Sequence, residues 1–305
     1  MANSISHTLY YVKETDYGVT PSNPAFTGIP ITGCTMGLTS SQIISESIRD
    51  DRQLVDIRNG TASTDGDISC ELQHGVLDDL IEAAMCGAWN SGDVKSEQTQ
   101  RSFTFLRYFS SLTAGDNAYE IITGVVLTGA AFDVGAEKLS TVVFNCLGKD
   151  ITSSATAPSG AVLTDVPPIP GYDSFTGTMV TGGVTQNLAL TAAITLANGQ
   201  APRFVIGSNR TIAPILKRAS VTGTITLHFE DHDALDNYYA GNSSSLVFSM
   251  VDPAGNTMQL NVPELLYTGG RPDVSGESDI ILTLPFTGKY NAGDATSFWI
   301  NATDA

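Results

Sequence analysis

The segment GDISCELQHGVLDDLIEAAMCGAW, residues 66–89, changes its hydrophobic period halfway along its length. Apolar residues alternate with polar ones at Ile68, Cys70 and Leu72, which predicts a strand that is buried on one face. From residue 76 onward, apolar residues recur three and four positions apart, which predicts an amphipathic helix. Gly87 is expected to end that helix.

The same strand-to-helix unit returns in the second half of the chain. Gly223–Phe229 alternates like a strand, and the acidic residues 231–241 that follow predict a short helix ending in glycine. A chance similarity rarely keeps several landmarks in one order, so the sequence predicts a tandem duplication. Three later landmarks also recur at nearly constant offset. A strand through Phe103, Phe105 and Arg107 corresponds to one through Val247, Ser249 and Val251. The strand end at 127–129 corresponds to that at 267–269, and the Gly-Lys pair at 148–149 corresponds to that at 288–289.

Each copy is rich in predicted strands and has one predicted helix. This pattern favours a mainly β fold in which a β-sandwich or half-barrel carries a helix on its flank. Proline and glycine accumulate between the copies, which predicts a stiff linker. The expected organisation is an N-terminal arm at 1–33, a first domain at 34–150, the linker at 151–182 and a second domain at 183–305.

The predicted arm contains Pro21, Pro24 and Pro30 beside several glycines. Proline and glycine interrupt regular structure, so at most one short strand is expected in this segment. The remainder is predicted to be extended. It either reaches a neighbouring copy of the chain or lies across its own domain.

The chain of 305 residues contains 32 Asp and Glu against 15 Lys and Arg, a formal net charge of -17. Such a negative field repels phosphate backbones and anionic lipid, so binding to nucleic acid or to membranes is not expected. Neither a secretory signal nor a membrane-spanning apolar run is recognisable, and we expect a soluble, unprocessed protein. Cysteines at 34, 70, 86 and 146 lack disulfide or metal-ligand spacing, which predicts small buried thiols and a reducing compartment.

The sequence contains no G-x-S-x-G, G-x-x-x-x-G-K-[ST], G-x-G-x-x-G or H-E-x-x-H motif. His228 and His232 flank Glu230, but the first belongs to a predicted strand and the second to a helix start, so a metal site is not expected. The acidic pairs at 50–51 and 65–67 have no histidine beside them and are predicted to be turn and surface residues. We therefore expect no catalytic residue, no cofactor and no metal ligand.

Thr35–Ile48 is predicted to be a strand, and a long polar loop follows it. Charges of both signs can satisfy each other across a repeated self-contact and set its register. The loop is therefore either a solvated hairpin tip or a docking surface. Its candidate contact residues are Arg49, Asp50, Asp51, Arg52, Asp56, Arg58 and Asp65.

Short motifs stand in a fixed order between residues 9 and 89: Tyr11, Lys13, Glu14, Thr15, Tyr17, Gly18, Val19, Thr20, Pro21, then Ile29, Pro30, Thr32, Gly33, then Ile48, Arg49, Asp50, Asp51, Arg52, then Glu71, Leu72, Gly75, Asp78, Asp79, Leu80, Ala83, Ala84, Gly87 and Trp89. In this order they resemble the major tail tube proteins of long non-contractile-tailed bacteriophages, the siphophages. Beyond residue 89 the likeness extends only through the internal repeat.

The resemblance implies two tandem tail-tube-like domains, each with two packed sheets and a flanking helix. It implies rings whose inner sheets join into one barrel, stacked around a lumen through which DNA passes without specific binding, and it implies no catalysis. Expected partners are further copies of the chain, a tape measure protein in the lumen, and tail terminator and distal tail proteins. The expected location is the virion tail, assembled in the cytoplasm of the bacterial host.

Two physical arguments agree with this resemblance. Joining sheets into a closed barrel removes exposed edges, and an acidic wall repels a sliding polyanion. Six domains in a ring would require three chains, which predicts a homotrimeric, pseudo-sixfold ring. The alternative is a homohexamer in which one copy of the domain decorates the outside. The residues of the Arg49–Asp65 loop become candidates for contact between rings.

A different class of protein also suits two β-rich domains. A β-rich adhesin or carbohydrate-binding module would show similar patterns, because fold does not fix function.

Overall fold

A computed structural model describes residues 6–112, 116–230, 232–274 and 279–305. These residues form twenty strands and two short helices, which confirms the prediction of a mainly β fold. Residues 1–5 of the predicted arm, and Asp231 of the second predicted helix, lie outside the described residues. The elements up to residue 164 are β1 (His7–Lys13), β2 (Ala25–Ile29), β3 (Ile31–Cys34), β4 (Gly37–Ile44), β5 (Ile57–Glu71), α1 (Asp78–Met85), β6 (Asp93–Lys95), β7 (Phe103–Phe109), β8 (Tyr119–Gly135), β9 (Thr141–Gly148), β10 (Asp150–Ser154) and β11 (Val162–Thr164).

The second half of the chain again surrounds one helix with strands. Its helix follows the strand that contains Gly223, as the repeat in the sequence predicts. The elements are β12 (Asp173–Thr181), β13 (Val184–Thr185), β14 (Ala189–Ala197), β15 (Ser220–His228), α2 (Asp233–Ala240), β16 (Ser244–Val251), β17 (Thr257–Tyr267), β18 (Arg271–Asp273), β19 (Ile281–Gly288) and β20 (Trp299–Thr303).

The strands of both halves pair in one order. In the first half, the antiparallel order is β4, β5, β9, β8, β7 and β1. In the second half it is β14, β15, β19, β17, β16 and β12. Even an irregularity recurs, because the register shift between Phe103 and Phe105 on β7 returns between Ser244 and Leu246 on β16.

The two halves join edge to edge through β8. The first part of β8 pairs with β7 and β10, whereas residues 129–135 pair with β9 on one side and with β14 on the other. The β8–β14 pairing is antiparallel and runs from Gly129 opposite Ala197 to Gly135 opposite Thr191. A Cβ atom at Gly129 would lie 2.3 Å from the Leu196 carbonyl oxygen, so only glycine permits this approach. One sheet therefore continues from β4 through β5, β9, β8, β14 and β15 to β19.

One face of this continuous sheet is buried. Beyond β4 and the start of β5, alternate residues along its strands enter the core, as Ile68, Phe132, Phe144 and Leu196 illustrate. Helix α1 packs its apolar stripe on the same core, with Leu80, Ile81 and Ala84 fully buried. The alternation around Ile68 and the helical period after residue 76 are therefore correct sequence predictions.

The buried thiols predicted from the sequence also lie in this core. Cys70 on β5 and Cys86 after α1 are buried, and Cys34 is half-buried. Burial raises the pKa of Cys70 to about 12 and that of Cys86 to about 11. Both remain protonated thiols at neutral pH.

The N-terminal segment departs from the expectation of at most one strand, because it forms β1, β2 and β3. The prolines stand between these strands: Pro24 precedes β2, and Pro30 separates β2 from β3. Proline therefore delimits strands here rather than preventing them. β1 pairs with β2 and β7, so residues 7–34 belong to the sheets of their own half.

The predicted linker is also more ordered than expected. It contains most of β10, all of β11, which pairs in parallel with β2, and all of β12. Pro158 lies between β10 and β11, and the later prolines separate β11 from β12. The segment is thus attached to the first half through β10 and β11, and to the second half through β12, which pairs with β16.

The end of α1 differs from the prediction. Cys86, not Gly87, adopts the left-handed conformation, with φ 51°. Gly87 has a different role, because a Cβ atom there would lie 2.1 Å from the Lys95 carbonyl oxygen. In the second half the prediction is correct, since Gly241 ends α2 with φ 66°.

Glu14 ties together three segments of the first half. Its carboxylate accepts hydrogen bonds from the Gly18 amide at 2.7 Å, the Ser102 hydroxyl at 2.7 Å, the Thr104 hydroxyl at 2.8 Å and the Gly124 amide at 2.8 Å. A carboxylate that accepts several bonds stabilises a fold because its loss leaves all the donors unpaired. Glu14 therefore holds the chain after β1 against β7 and β8.

We predict that Glu14→Ala lowers the free energy of unfolding by about 3 kcal/mol, and Glu14→Gln by roughly half of that, because the amide still accepts some of these bonds. Urea denaturation measures both values. Glu137→Ala, at an exposed position between β8 and β9, serves as the control. Equal stability of Glu14→Ala and Glu137→Ala would contradict this role.

Candidate functional site

The face of the continuous sheet that lies opposite the core is open and acidic. Its ionisable residues on β5 and β8 are Asp65, Asp67, Glu71 and Asp133, which alternate with buried neighbours. The rest of this face is mostly Thr, Ser, Ala and Asn. Strands β4, β9, β14, β15 and β19, with residues 64–71 of β5 and 129–135 of β8, contain no Lys or Arg. A polyanion facing this surface meets repulsion from the carboxylates of the first half and finds no Lys or Arg on strands β14, β15 and β19 of the second half.

Hydrogen bonds hold these carboxylates against the sheet. Asn145 on β9 donates its side-chain amide to Asp67 at 2.8 Å, and the Thr39 hydroxyl on β4 donates to Asp65. Lys138, which pairs with Asp133, lies in the turn after β8 and thus at the margin of the face.

A hairpin formed by the ends of β4 and β5 projects beyond this sheet. β9 ends at Gly148, opposite Thr64, so the earlier residues of β5 extend past it. Six aliphatic side chains of the hairpin are exposed, and Ile48 is 100% exposed. A cluster of exposed aliphatic residues typically marks an interaction surface. Its members are Ile43, Ile44, Ile48, Leu54, Val55 and Ile57.

The charged residues predicted as contacts all lie in this hairpin or on its second strand. Arg49 binds Asp51 in a bidentate ion pair with a shortest contact of 2.6 Å, and Arg58 binds Asp56 at 2.6 Å. These four charges thus satisfy each other within one hairpin. Asp50 and Arg52 are exposed at its tip, where Arg52 has φ 57°.

The loop predicted for residues 49–65 is shorter than expected. β5 begins at Ile57, so Arg58 and Asp65 lie on a strand, and β4 ends at Ile44 rather than at Ile48. Both faces of the hairpin are solvated, so its strands lack the alternation that reveals a half-buried strand. The sequence analysis also missed the exposed aliphatic residues, although six of them within fifteen positions of a polar loop is a detectable pattern.

A loop of the second half supports the base of the hairpin. The Ala62 amide on β5 donates to the Asn209 carbonyl at 2.7 Å. Arg210 forms an ion pair with Asp150 at 2.9 Å. The segment between β14 and β15 therefore covers the edge of β5 that β9 leaves free.

Several of the motif residues that carry the family resemblance meet around α1. Asp79 accepts a hydrogen bond from the Tyr11 hydroxyl at 3.1 Å and forms an ion pair with Lys13 at 2.8 Å. Trp89 donates its indole N–H to the Asp78 carbonyl at 3.1 Å. These motif residues therefore fasten β1 and the segment after α1 to the helix, which is a structural role.

The residues considered for metal binding are dispersed. His228 lies 3.9 Å from Asp279 and His232 packs its ring on Phe229, with ring centroids 5.1 Å apart. Within the described ranges, no group of three or more His, Cys, Asp or Glu side chains is arranged to hold a metal ion. No helix in the same ranges is long and apolar enough to cross a membrane.

Comparison with known families agrees with the resemblance in the sequence. A family model described as "Phage tail tube protein" matches residues 4–288, which spans both halves. No individual curated protein matches the chain. The family match identifies a structural component of the virion tail. The chain belongs to the phage tail tube protein family.

Proposed function

We propose that the chain is a major tail tube subunit, which assembles into stacked rings around a DNA-conducting lumen. The observation that carries this proposal is the open face of the sheet, which extends across both halves, contains acidic residues, and has no Lys or Arg on β9, β14, β15 and β19 or on residues 64–71 of β5 and 129–135 of β8. A wall of this kind conducts DNA without holding it, because phosphate groups find no cationic partner. Before DNA passes, a tape measure protein would occupy the same lumen.

The two halves act as two tube domains in one ring. The recurring strand order supports a duplicated domain, and the β8–β14 pairing already places the two copies side by side in one sheet. Three chains then supply six domains, which gives a homotrimeric ring with pseudo-sixfold shape. Because β12 occupies the place of β1 in the repeat, the domains would extend over about 7–154 and 173–303 rather than 34–150 and 183–305.

The hairpin between β4 and β5 contacts the next ring in this assembly. Burial of its exposed aliphatic residues provides the stabilisation, at roughly 1.5–3 kcal/mol for each fully buried Ile, whereas an exposed ion pair contributes about 0.2–1 kcal/mol. Arg49, Asp50, Asp51, Arg52, Asp56, Arg58 and Asp65 then act mainly on the register of the contact.

The proposed function is tested by immunogold labelling of purified virions with antibodies against this protein, beside negative-stain images of the purified protein at increasing concentration. We expect label along the whole tail, and rings or tubes of uniform diameter. Label confined to the tail tip, with dispersed particles in the images, would overturn the proposal and favour an adhesin.

We predict that the acidic face governs DNA passage. Replacing Asp67, Glu71 and Asp133 together by Lys should leave tails of normal length but lower infectivity roughly tenfold or more, because a cationic wall binds phosphates. Plaque-forming units per tailed particle measure the effect.

Two controls accompany this variant. Asn at the same three positions removes charge without adding a cation, and Asp236→Lys makes one such charge reversal on the exposed side of α2. Both should infect better than the triple Lys variant. Full infectivity of the triple Lys variant would refute an acidic conduit.

We predict that Ile44→Asp with Ile48→Asp prevents stacking, so that rings persist but tubes are short or absent. Arg49→Asp with Arg52→Asp should shorten tubes less, because Arg49 is already paired within its own hairpin. Tyr239→Asp, at another exposed apolar position, is the control. Tube lengths in negative stain decide, and unchanged lengths for both hairpin variants would make the hairpin a solvated tip.

A further inference from the structure

The β8–β14 pairing inside the chain supplies a template for contact between chains. In the repeat, residues 129–135 of β8 correspond to β18 and the residue after it, because Asp133 pairs with Thr141 as Asp273 pairs with Ile281. Likewise β14 corresponds to β3 and β4 together. Ala192 on β14 pairs with Ile225, as Cys34 on β3 pairs with Ile68.

Both counterpart edges are open. Within the described ranges, β18 pairs with β19 alone, and β3 and β4 pair with β5 alone. Edge strands with free N–H and C=O groups are templates for pairing with a second chain. Within the chain, the equivalent edges are β8 and β14, and they pair with each other.

The side chains at these two edges are also more exposed than their counterparts at the internal junction. Val134 on β8 is 2% exposed beneath the β14 junction, whereas its counterpart Val274 is 72% exposed. Leu196 on β14 is 0% exposed, whereas its counterpart Leu38 is 44% exposed. Apolar side chains that the internal junction buries are therefore uncovered at both free edges. Contact between these edges would bury them.

We propose that β18 of one chain pairs antiparallel with β3 and β4 of the next chain, with Val274 opposite Cys34, Pro272 opposite Met36 and Arg271 opposite Gly37. These pairs are obtained by replacing each residue of the β8–β14 pairing with its counterpart in the other half. This inference rests on the ring assembly proposed above and adds the strands and the register that close the ring. The partner is a second copy of this chain.

The proposed register accommodates the proline in β18. Pro272 has no N–H, and the acceptor that would face it is the Met36 carbonyl. Arg107 already donates to that carbonyl at 3.1 Å. The missing donor therefore leaves no acceptor unpaired, and the proline discourages other strands from adding to this edge.

In the proposed register, a positively charged residue of β18 stands in the same row as an acidic residue of the open face. Across the proposed junction, Arg271, Gly37 and Asp65 stand in one row, since Gly37 pairs with Asp65. The equivalent row at the internal junction is Ala131, Thr195 and Thr222. Glycine at the middle position leaves room for the arginine to reach the carboxylate. A charged row at the junction between chains and an uncharged row within the chain would distinguish the two pairings.

The experiment is disulfide cross-linking of Val274→Cys with the native Cys34. A bridge requires Cα atoms within about 7 Å, which directly opposed strand residues satisfy and residues two positions out of register do not. Assembled tubes are treated with copper phenanthroline at about pH 9, because burial raises the pKa of the Cys34 thiol. Non-reducing gels should show covalent dimers and trimers that dithiothreitol dissociates.

Three controls define the outcome. Val274→Cys with Cys34→Ser, and Pro272→Cys with native Cys34, should both remain monomeric. If Val274→Cys fails to assemble, Gly37→Cys with Arg271→Cys tests the same register, and a Cβ atom at Gly37 has space. Tubes in which neither variant cross-links would overturn the register while leaving the tube function intact. Absence of tubes from the wild-type protein, with no label along virion tails, would instead reject the proposed function.

Discussion

The structure depends on antiparallel pairing between the edge of one repeat and the edge of the next, seen directly between β8 and β14. This contact makes two sheets into one, covers Val134 and Leu196, and extends the acidic face of the first half into the uncharged face of β14, β15 and β19. A free β edge is normally a liability, because any extended chain can add to it. In the ring proposed above, each edge would become an interface, and the charged row and the proline at β18 would restrict which strand can pair there.

Two surfaces follow from that constraint. Once the sheet is continuous, alternation places every second side chain on its open face, so a few carboxylates on β5 and β8 set the charge of that face. The hairpin begins where β5 extends beyond the end of β9. It therefore lies at the margin of the sheet, where the next ring would make contact. Its ion pairs are closed within one chain, which leaves aliphatic burial as the main attraction between rings.

The sequence predicted the parts of the fold in which one face is buried. Alternation at Ile68 and Cys70 and the helical period through Leu80 were correct because each element presents one apolar side to the core. The same reasoning failed for residues 57–59, which begin a strand and are exposed on both faces, and for β1 to β3, where prolines delimit strands. The left-handed Cys86 was unpredictable because a close approach to Lys95, and not the helix end, requires the glycine at position 87. The candidate contact residues were located in the right hairpin, but their mutual pairing depends on side-chain positions that spacing does not reveal.

The central claim is that each chain contributes two equivalent tube domains to one ring. Cryo-electron microscopy of assembled tubes measures this directly, because the rotational symmetry of the ring counts the chains. The account predicts threefold rings in which the two halves of each chain occupy alternating, similar positions around the lumen. Sixfold rings in which only one half of each chain lines the lumen would contradict it.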